Sequence, residues 1–280
     1  MGAKHLIVGL YRQLVRVIPE SLKKPMRPLW YKIFNGAKNF IHWLSRYMPF
    51  TDLYKKRRWI KKVYNPVYHK SRRDVLVYAI KAMWTNRPVE GYYFEFGSHT
   101  ATTVRLAYDN FRHIYPSMKF VCFDSFQGLP PLLEIDKMDI FQEGANKTSR
   151  AVFEKIVRKH GIPEDKMVIV EGFYKESLND HLKFKLQPTS AAFIYIDVDI
   201  YSATKEALDF SKDFLQPGTV LMFGNWNCFY GDPDRGQRRA FREFCEGNPE
   251  LIFSELTQSN SFKLYTFVRA GKGAPSDAPN

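Results

Sequence analysis

The sequence predicts an α/β protein: an open, mostly parallel sheet with helices on both faces, preceded by a basic helical extension. From residue 90 onward, short apolar β-rich runs alternate with helical patterns, as parallel strands joined by crossovers require. The last two such runs, 251–256 and 261–268, are separated by too short a link for a crossover, so this closing pair must be antiparallel. Charge marks the extension. Residues 1–74 hold 18 Lys/Arg against three acids, leaving 24 basic against 26 acidic residues in the remainder.

In chain order, residues 1–70 form the basic extension. Short amphipathic helices broken at Pro19, Pro25, Pro28 and Pro49 are expected there,. Their mixture of aromatic and Lys/Arg faces suits an anionic membrane surface. A helical subdomain packed on the main domain, or an oligomer interface, accounts for the same pattern. The run Lys55-Lys56-Arg57-Arg58 with Lys61-Lys62 has no base-reading motif beside it, so nucleic acid is not an expected partner,. Residues 71–270 form the α/β domain. A helix over 71–86 precedes strands at 92–96, 118–124, 167–171, 191–197 and 219–223. Helices over 100–111, 149–160, 175–186, 202–214 and 235–246 follow them in turn. The tail, 271–280, is expected to be disordered.

Composition sets bounds. With 280 residues and 45% hydrophobic content, the chain builds a proper core,. Cys122, Cys228 and Cys245 are few and odd in number, which suggests a reducing compartment,. No apolar run approaches the ~20 residues of a membrane span, and Leu6–Leu10 is too short for a signal peptide,. A cytoplasmic protein, peripheral on the inner membrane face if the extension meets lipid, is expected. There is no Cys/His cluster with zinc spacing.

Parallel strands deliver their C-terminal ends to one edge, where ligands bind. The first strand ends at Glu95-Phe96-Gly97, followed by Ser98. The glycine admits a ligand close to the backbone and the following helix start offers free N–H groups. The second strand ends at Asp124-Ser125, where an acid can take both hydroxyls of a ribose,. Gly172 leaves room for an adenine on which Phe173 can stack. The fourth strand ends at Asp197-Val198-Asp199; these carboxylates suit a divalent cation or a general base,. A dehydrogenase-type Gly-x-Gly-x-x-Gly is absent after the first strand.

The segments YYFEFGSHTATT, FDSFQGLP, VEGFYKESL, AAFIYIDVDIYSATKEAL and PGTVLMFGNWNCF…GQRRAF, in that order, resemble the macrocin O-methyltransferase family over about residues 70–268. That family consists of class I S-adenosylmethionine enzymes acting on sugar hydroxyls, built on a Rossmann-like seven-stranded sheet whose last strand is antiparallel. The resemblance implies S-adenosyl-L-methionine as cofactor, with Glu95, Gly97, Ser98, Asp124, Ser125, Gly172, Phe173 and Asp197 around it. It implies a sugar or glycolipid substrate.

Two departures stand out. Ala101 replaces a second glycine. Gly224-Asn225 replaces an Asp-Asp pair that serves magnesium and catalysis. The resemblance then leaves Asp197 and Asn225 as metal ligands for a weakened Mg2+ site, with Asp197 or Asp199 as the base. Alternatively, Asp232 or Asp234 reaches in, or the domain binds cofactor or glycan without turnover, as a membrane- or partner-associated module. Arg235, Arg238 and Arg239 can grip a phosphate or form a solvated face. His99 lines the site or faces solvent. Tyr201 contacts substrate or packs at the sheet edge. Nothing marks Cys228 as a nucleophile.

Overall fold

The alternation resolves into seven strands in a computed structural model that describes residues 51–85, 89–259 and 262–271, with Gly36, Asn39 and Phe40. They are β1 (Tyr92–Phe96), β2 (Phe120–Asp124), β3 (Met167–Glu171), β4 (Ala191–Ile196), β5 (Val220–Phe223), β6 (Leu251–Ser259) and β7 (Phe262–Ala270). One sheet holds them all, in the order β3-β2-β1-β4-β5-β7-β6. The pairs among β1–β5 are parallel; β7 inserts antiparallel between β5 and β6. Of the helices expected before residue 51 only Gly36, Asn39 and Phe40 are described, all helical; the rest of that stretch and the tail beyond Gly271 lie outside the described residues.

Helix α1 (Asp52–Trp59) starts where the Thr51 hydroxyl accepts from the Tyr54 N–H at 3.2 Å,. It passes through a π-helical turn (Ile60–Tyr64) into α2 (Asn65–Thr85). Pro66 explains the turn: it has no N–H for the usual i→i−4 bond, and the Asn65 N–H reaches back to the Ile60 carbonyl instead,. The helix expected from residue 71 thus begins earlier. The chain divides into two units at His69/Lys70, inside α2. In the second unit α2 buries Arg72, Val75, Leu76, Ala79, Ile80 and Met83, one stripe at helical spacing,.

The crossovers are α3 (Thr102–Phe111), α4 (Arg150–His160), α5 (Tyr174–Ser177), α6 (Asp180–Leu186) and α7 (Tyr201–Ser211); α8 (Gly236–Gly247) follows β5. The single helix expected over 175–186 is two. Asn179 adopts extended backbone and its side chain accepts from the Leu182 N–H at 3.0 Å, starting α6 afresh,.

Strand alternation divides the core between two faces. Phe94, Phe96, Val121, Phe123, Ile194, Ile196, Leu221 and Phe223 pack with Leu186, Phe210, Ala240 and Phe241 of the later helices. On the other face Tyr93 stacks with Phe193 and meets Phe111 of α3. Glu95 shares that second face by period, a carboxylate within an aromatic layer.

Candidate active site at the carboxyl edge of the sheet

The parallel ladder continues one residue past the strand ends. Gly172 N–H donates to the Asp124 carbonyl at 3.1 Å, and Gly97 N–H to the Phe123 carbonyl at 2.9 Å. Asp197 N–H donates to the Phe96 carbonyl and Gly224 N–H to the Ile196 carbonyl, both at 2.9 Å. These bonds set Gly172, Asp124, Gly97, Asp197 and Gly224 side by side on one rim. All six non-glycine residues with positive φ among the described residues lie in its loops: His99, Ala101, Phe126, Asn146, Phe229 and Tyr230. Strain concentrated this way is a mark of functional edges.

In the half formed by β1–β3, the Asp124 carboxylate is fixed by backbone. His99 N–H donates to Oδ2 and Phe126 N–H to Oδ1, each at 2.8 Å. Burial pushes this carboxyl above its ordinary value, and the two N–H donors oppose the shift,. The left-handed backbone of His99 and Phe126 aims those N–H groups. Gly97, at φ +86°, passes so close to the next strand end that a Cβ would lie 2.7 Å from the Asp197 carbonyl oxygen. Gly172 has φ +129°,. Phe173 is half-buried at the start of α5. The hydroxyls of Ser98 and Ser125 turn into their own loops, donating to the Glu95 and Gly128 carbonyls. Ala101 is buried at φ 54°, a conformation that suits glycine,.

Glu95 lies beneath the rim with 1% exposure. The Tyr93 hydroxyl donates to its Oε2 at 2.5 Å. Burial pushes the carboxyl up to about 8, against the pull of Tyr93 and Arg72,.

The half formed by β4 and β5 is held by side chains. Asp197 Oδ2 lies 3.7 Å from the Arg72 guanidinium of α2, and both side chains are largely buried. Arg72 also donates to the Thr103 hydroxyl at 2.6 Å and lies over the Phe262 ring. The Tyr195 hydroxyl lies beside the Asp197 carboxylate; burial raises this carboxyl, against the pull of Arg72 and Tyr195,. This carboxylate packs on the bare Cα of Gly224, where a Cβ would meet Asp197 Oδ1 at 2.0 Å and the Tyr195 hydroxyl at 2.6 Å. Asp199 accepts from the Asn146 amide at 3.2 Å. Burial and the neighbouring Asp197 raise its carboxyl to about 6. Burial, then Asp199 and Asp197, push the Cys228 thiol up to about 11, the reverse of an activated nucleophile,.

Two residues that sequence reasoning missed hold this half together. Buried Gln237 donates to the Ile196 and Val198 carbonyls and accepts from the Asn225 N–H at 2.9 Å, tying β4 to β5. Asp136, in the loop after β2, is wholly buried and caps α7: it accepts from the Tyr201 N–H at 2.8 Å and the Ser202 hydroxyl at 2.6 Å,. The N-cap position itself, Ile200, has no cap-forming side chain. That vacancy was the only available signal.

The three arginines form internal clamps. Arg235 donates to the Ile135 and Lys137 carbonyls and lies over Phe229. Arg238 donates to the Trp226 carbonyl at 2.9 Å, and Arg239 pairs with Glu243. Tyr201 donates to Glu243 at 2.5 Å, joining α7 to α8. Asp232 accepts from the Asp234 N–H and Asp234 pairs with Arg242, so both are engaged in their own segment. His99 is exposed and contributes its backbone N–H.

The residues present do not fit a divalent cation at Asp197. Its oxygens face a guanidinium, a phenol and a bare Cα. Among the described residues no group of three or more His, Cys, Asp or Glu side chains is arranged to hold a metal. The nucleoside side of the rim is different: Asp124 stands ready between two glycines, with no Cβ at either to crowd a ligand.

No family model and no curated protein sequence matches the chain. Solved structures do. The chain is similar to the calicheamicin methyltransferase CalS11 at 20% identity over 83% of this chain and 92% of that one, with a TM-score of 0.59. It is similar to the O-methyltransferase NovP at 16% identity over 71% and 80%, with a TM-score of 0.58. The apo form of CalS11, described as a TDP-rhamnose 3'-O-methyltransferase, matches at 17% identity over 83% and 94%, with a TM-score of 0.51. Likeness at this identity establishes the fold: the chain carries the seven-stranded class I methyltransferase sheet with its antiparallel insertion.

Proposed function

We propose that the protein is an S-adenosylmethionine-dependent O-methyltransferase acting on a hydroxyl of a sugar or glycoconjugate. The observation that carries this reading is Asp124, a carboxylate fixed by two backbone N–H groups between Gly97 and Gly172. Such a group accepts from both hydroxyls of a ribose. Gly172-Phe173 then borders the adenine, and the turn after Gly97 borders the methionine end. When bound, S-adenosylmethionine supplies an electrophilic methyl group on its sulfonium. Asp199 is the open carboxylate of the other half, with one oxygen held by Asn146. It would take the acceptor hydroxyl's proton as the methyl group of a bound S-adenosylmethionine passed from sulfur to that oxygen, leaving the thioether. Orientation supplies much of the rest. The sugar class is supported by the resemblance over residues 70–268 and by the description of CalS11 as a TDP-rhamnose 3'-O-methyltransferase.

Calorimetry with S-adenosylhomocysteine tests the reading. Binding to the intact chain, weakened about tenfold or more in Asp124→Ala, supports it; no binding to folded wild type overturns it. The engagement of Asp197 by Arg72 favours one second reading, a cofactor- or glycan-binding module without turnover. Labelled-methyl transfer to a glycolipid extract separates the two, with transfer abolished in Asp199→Asn only for the enzyme.

The same proposal extends to an anionic membrane surface. Lys55, Lys56, Arg57, Arg58, Lys61 and Lys62 are all exposed beside exposed Trp59 and Val63,. No helix among the described residues is long and apolar enough to cross a membrane. Co-sedimentation with phosphatidylglycerol vesicles, abolished when the six cations are replaced by Ser, tests this extension.

A further inference from the structure

We infer that Arg72 is a resident cation standing where a divalent ion would otherwise serve Asp197, so that this site works without metal. The inference rests on the methyltransferase reading for its consequence and on side-chain geometry for its substance.

Asp197 and Asp199 follow the end of β4, and Arg72 brings a cation to Asp197 from α2. Its guanidinium is fixed by the Thr103 hydroxyl at 2.6 Å and the Phe262 ring, and faces Asp197 Oδ2 at 3.7 Å. The remaining oxygen of Asp197 rests on Gly224, beside the Tyr195 hydroxyl. A side chain in position 224 would displace the Asp197 carboxylate from where it stands, since even a Cβ would sit 2.0 Å from Asp197 Oδ1. Gly224 and Arg72 are therefore two parts of one arrangement. The glycine opens the volume that Asp197 occupies, and the arginine neutralises the charge brought there. A divalent ion entering against a fixed guanidinium meets like-charge repulsion in a medium that screens poorly. Arg72 acts through Asp197 and is a positioning residue.

Two measurements on the cofactor-free full-length chain test this, so a failure of S-adenosylhomocysteine binding leaves them readable. In the first, Mn2+ is titrated and free ion is followed by electron paramagnetic resonance. The wild-type chain is expected to leave the free-ion signal undiminished into the millimolar range. Saturable binding that disappears in Asp197→Asn overturns the inference. In the second, urea midpoints are compared for wild type, Arg72→Met, Asp197→Asn and the double variant. The double variant is expected to lose less than the two single losses together, because each single change leaves one buried charge alone. Additive losses overturn the inference. Arg72→Lys replaces Arg72→Met in the cycle if the latter does not fold. It retains the cation without the fork, and is expected to recover part of the midpoint. No recovery, with additive losses, has the same overturning force.

Discussion

At the ends of β1, β2 and β3 the rim is held by backbone: two N–H groups grip Asp124, and glycines at 97 and 172 keep the surface open. At the ends of β4 and β5 it is held by side chains reaching in from elsewhere: Arg72 from α2, Gln237 from α8, and Asp136 and Asn146 from the loop after β2. A backbone-built site tolerates change in the surrounding sequence, because every residue but proline carries an N–H. A side-chain-built site depends on particular partners.

The sharpest way to break this contrast is Gly224→Ala. The new Cβ meets the Asp197 carboxylate and the Tyr195 hydroxyl in a buried place, and a loss of about 3 kcal/mol in urea unfolding is expected,. A neutral result would mean that Asp197 is free to move, and the β4–β5 half would then be no more rigid than a surface loop.

Asp136→Ala is next. It removes the acceptor for the Tyr201 N–H and the Ser202 hydroxyl, and a loss of about 1–2 kcal/mol is expected by the same measurement,. Asp136→Asn, which keeps an acceptor, is expected to lose less.

Glu95 is common to both halves and provides a pH test. Its carboxyl, raised from 4.5 to about 8 by burial, holds a proton more tightly in the folded chain than in the unfolded one. Its stabilising contribution is therefore full below about 4.5 and lost as pH rises through about 8, where the folded state must carry the charge,. The melting temperature of wild type is expected to fall between these limits by several degrees more than that of Glu95→Gln, by roughly the margin that 1–2 kcal/mol produces in a domain of this size. Parallel profiles for the two proteins would show that Glu95 is already ionised at neutral pH.

The smallest expected effect is Tyr230→Gly. Tyr230 has φ 60° and its side chain is 97% exposed, so the change removes left-handed strain without losing packing. Set against the added freedom of glycine in the unfolded chain, a gain of roughly 0.5 kcal/mol is expected. An accompanying loss of methyl transfer would identify Tyr230 as an acceptor contact.

Much of this architecture was legible in the sequence because it is written in local terms. Strand-length apolar runs ending in Glu95, Asp124, Glu171 and Asp197 mark the edge, and Gly97 and Gly172 mark its turns. What sequence reasoning read less well came from distant partners. Arg72 looks like one cation in the basic run Arg72-Arg73 until α2 sets it beneath the rim. Arg235 reads as a phosphate contact or as part of a solvated helix face until the loop after β2 supplies two carbonyls for it. The break at Asn179 was readable in principle, since Asn is a strong N-cap, but a continuous helical period over 175–186 masked it,.

By itself the sequence determined the order of strands and helices, the antiparallel closing pair and the acids that finish the strands, because periodicity and turn chemistry act over a few residues. Only the tertiary structure decided which acid lies against a cation, what a side chain at 224 would meet and which loop caps α7. Those outcomes depend on contacts tens to more than a hundred residues apart in the chain, and no local pattern encodes the partner.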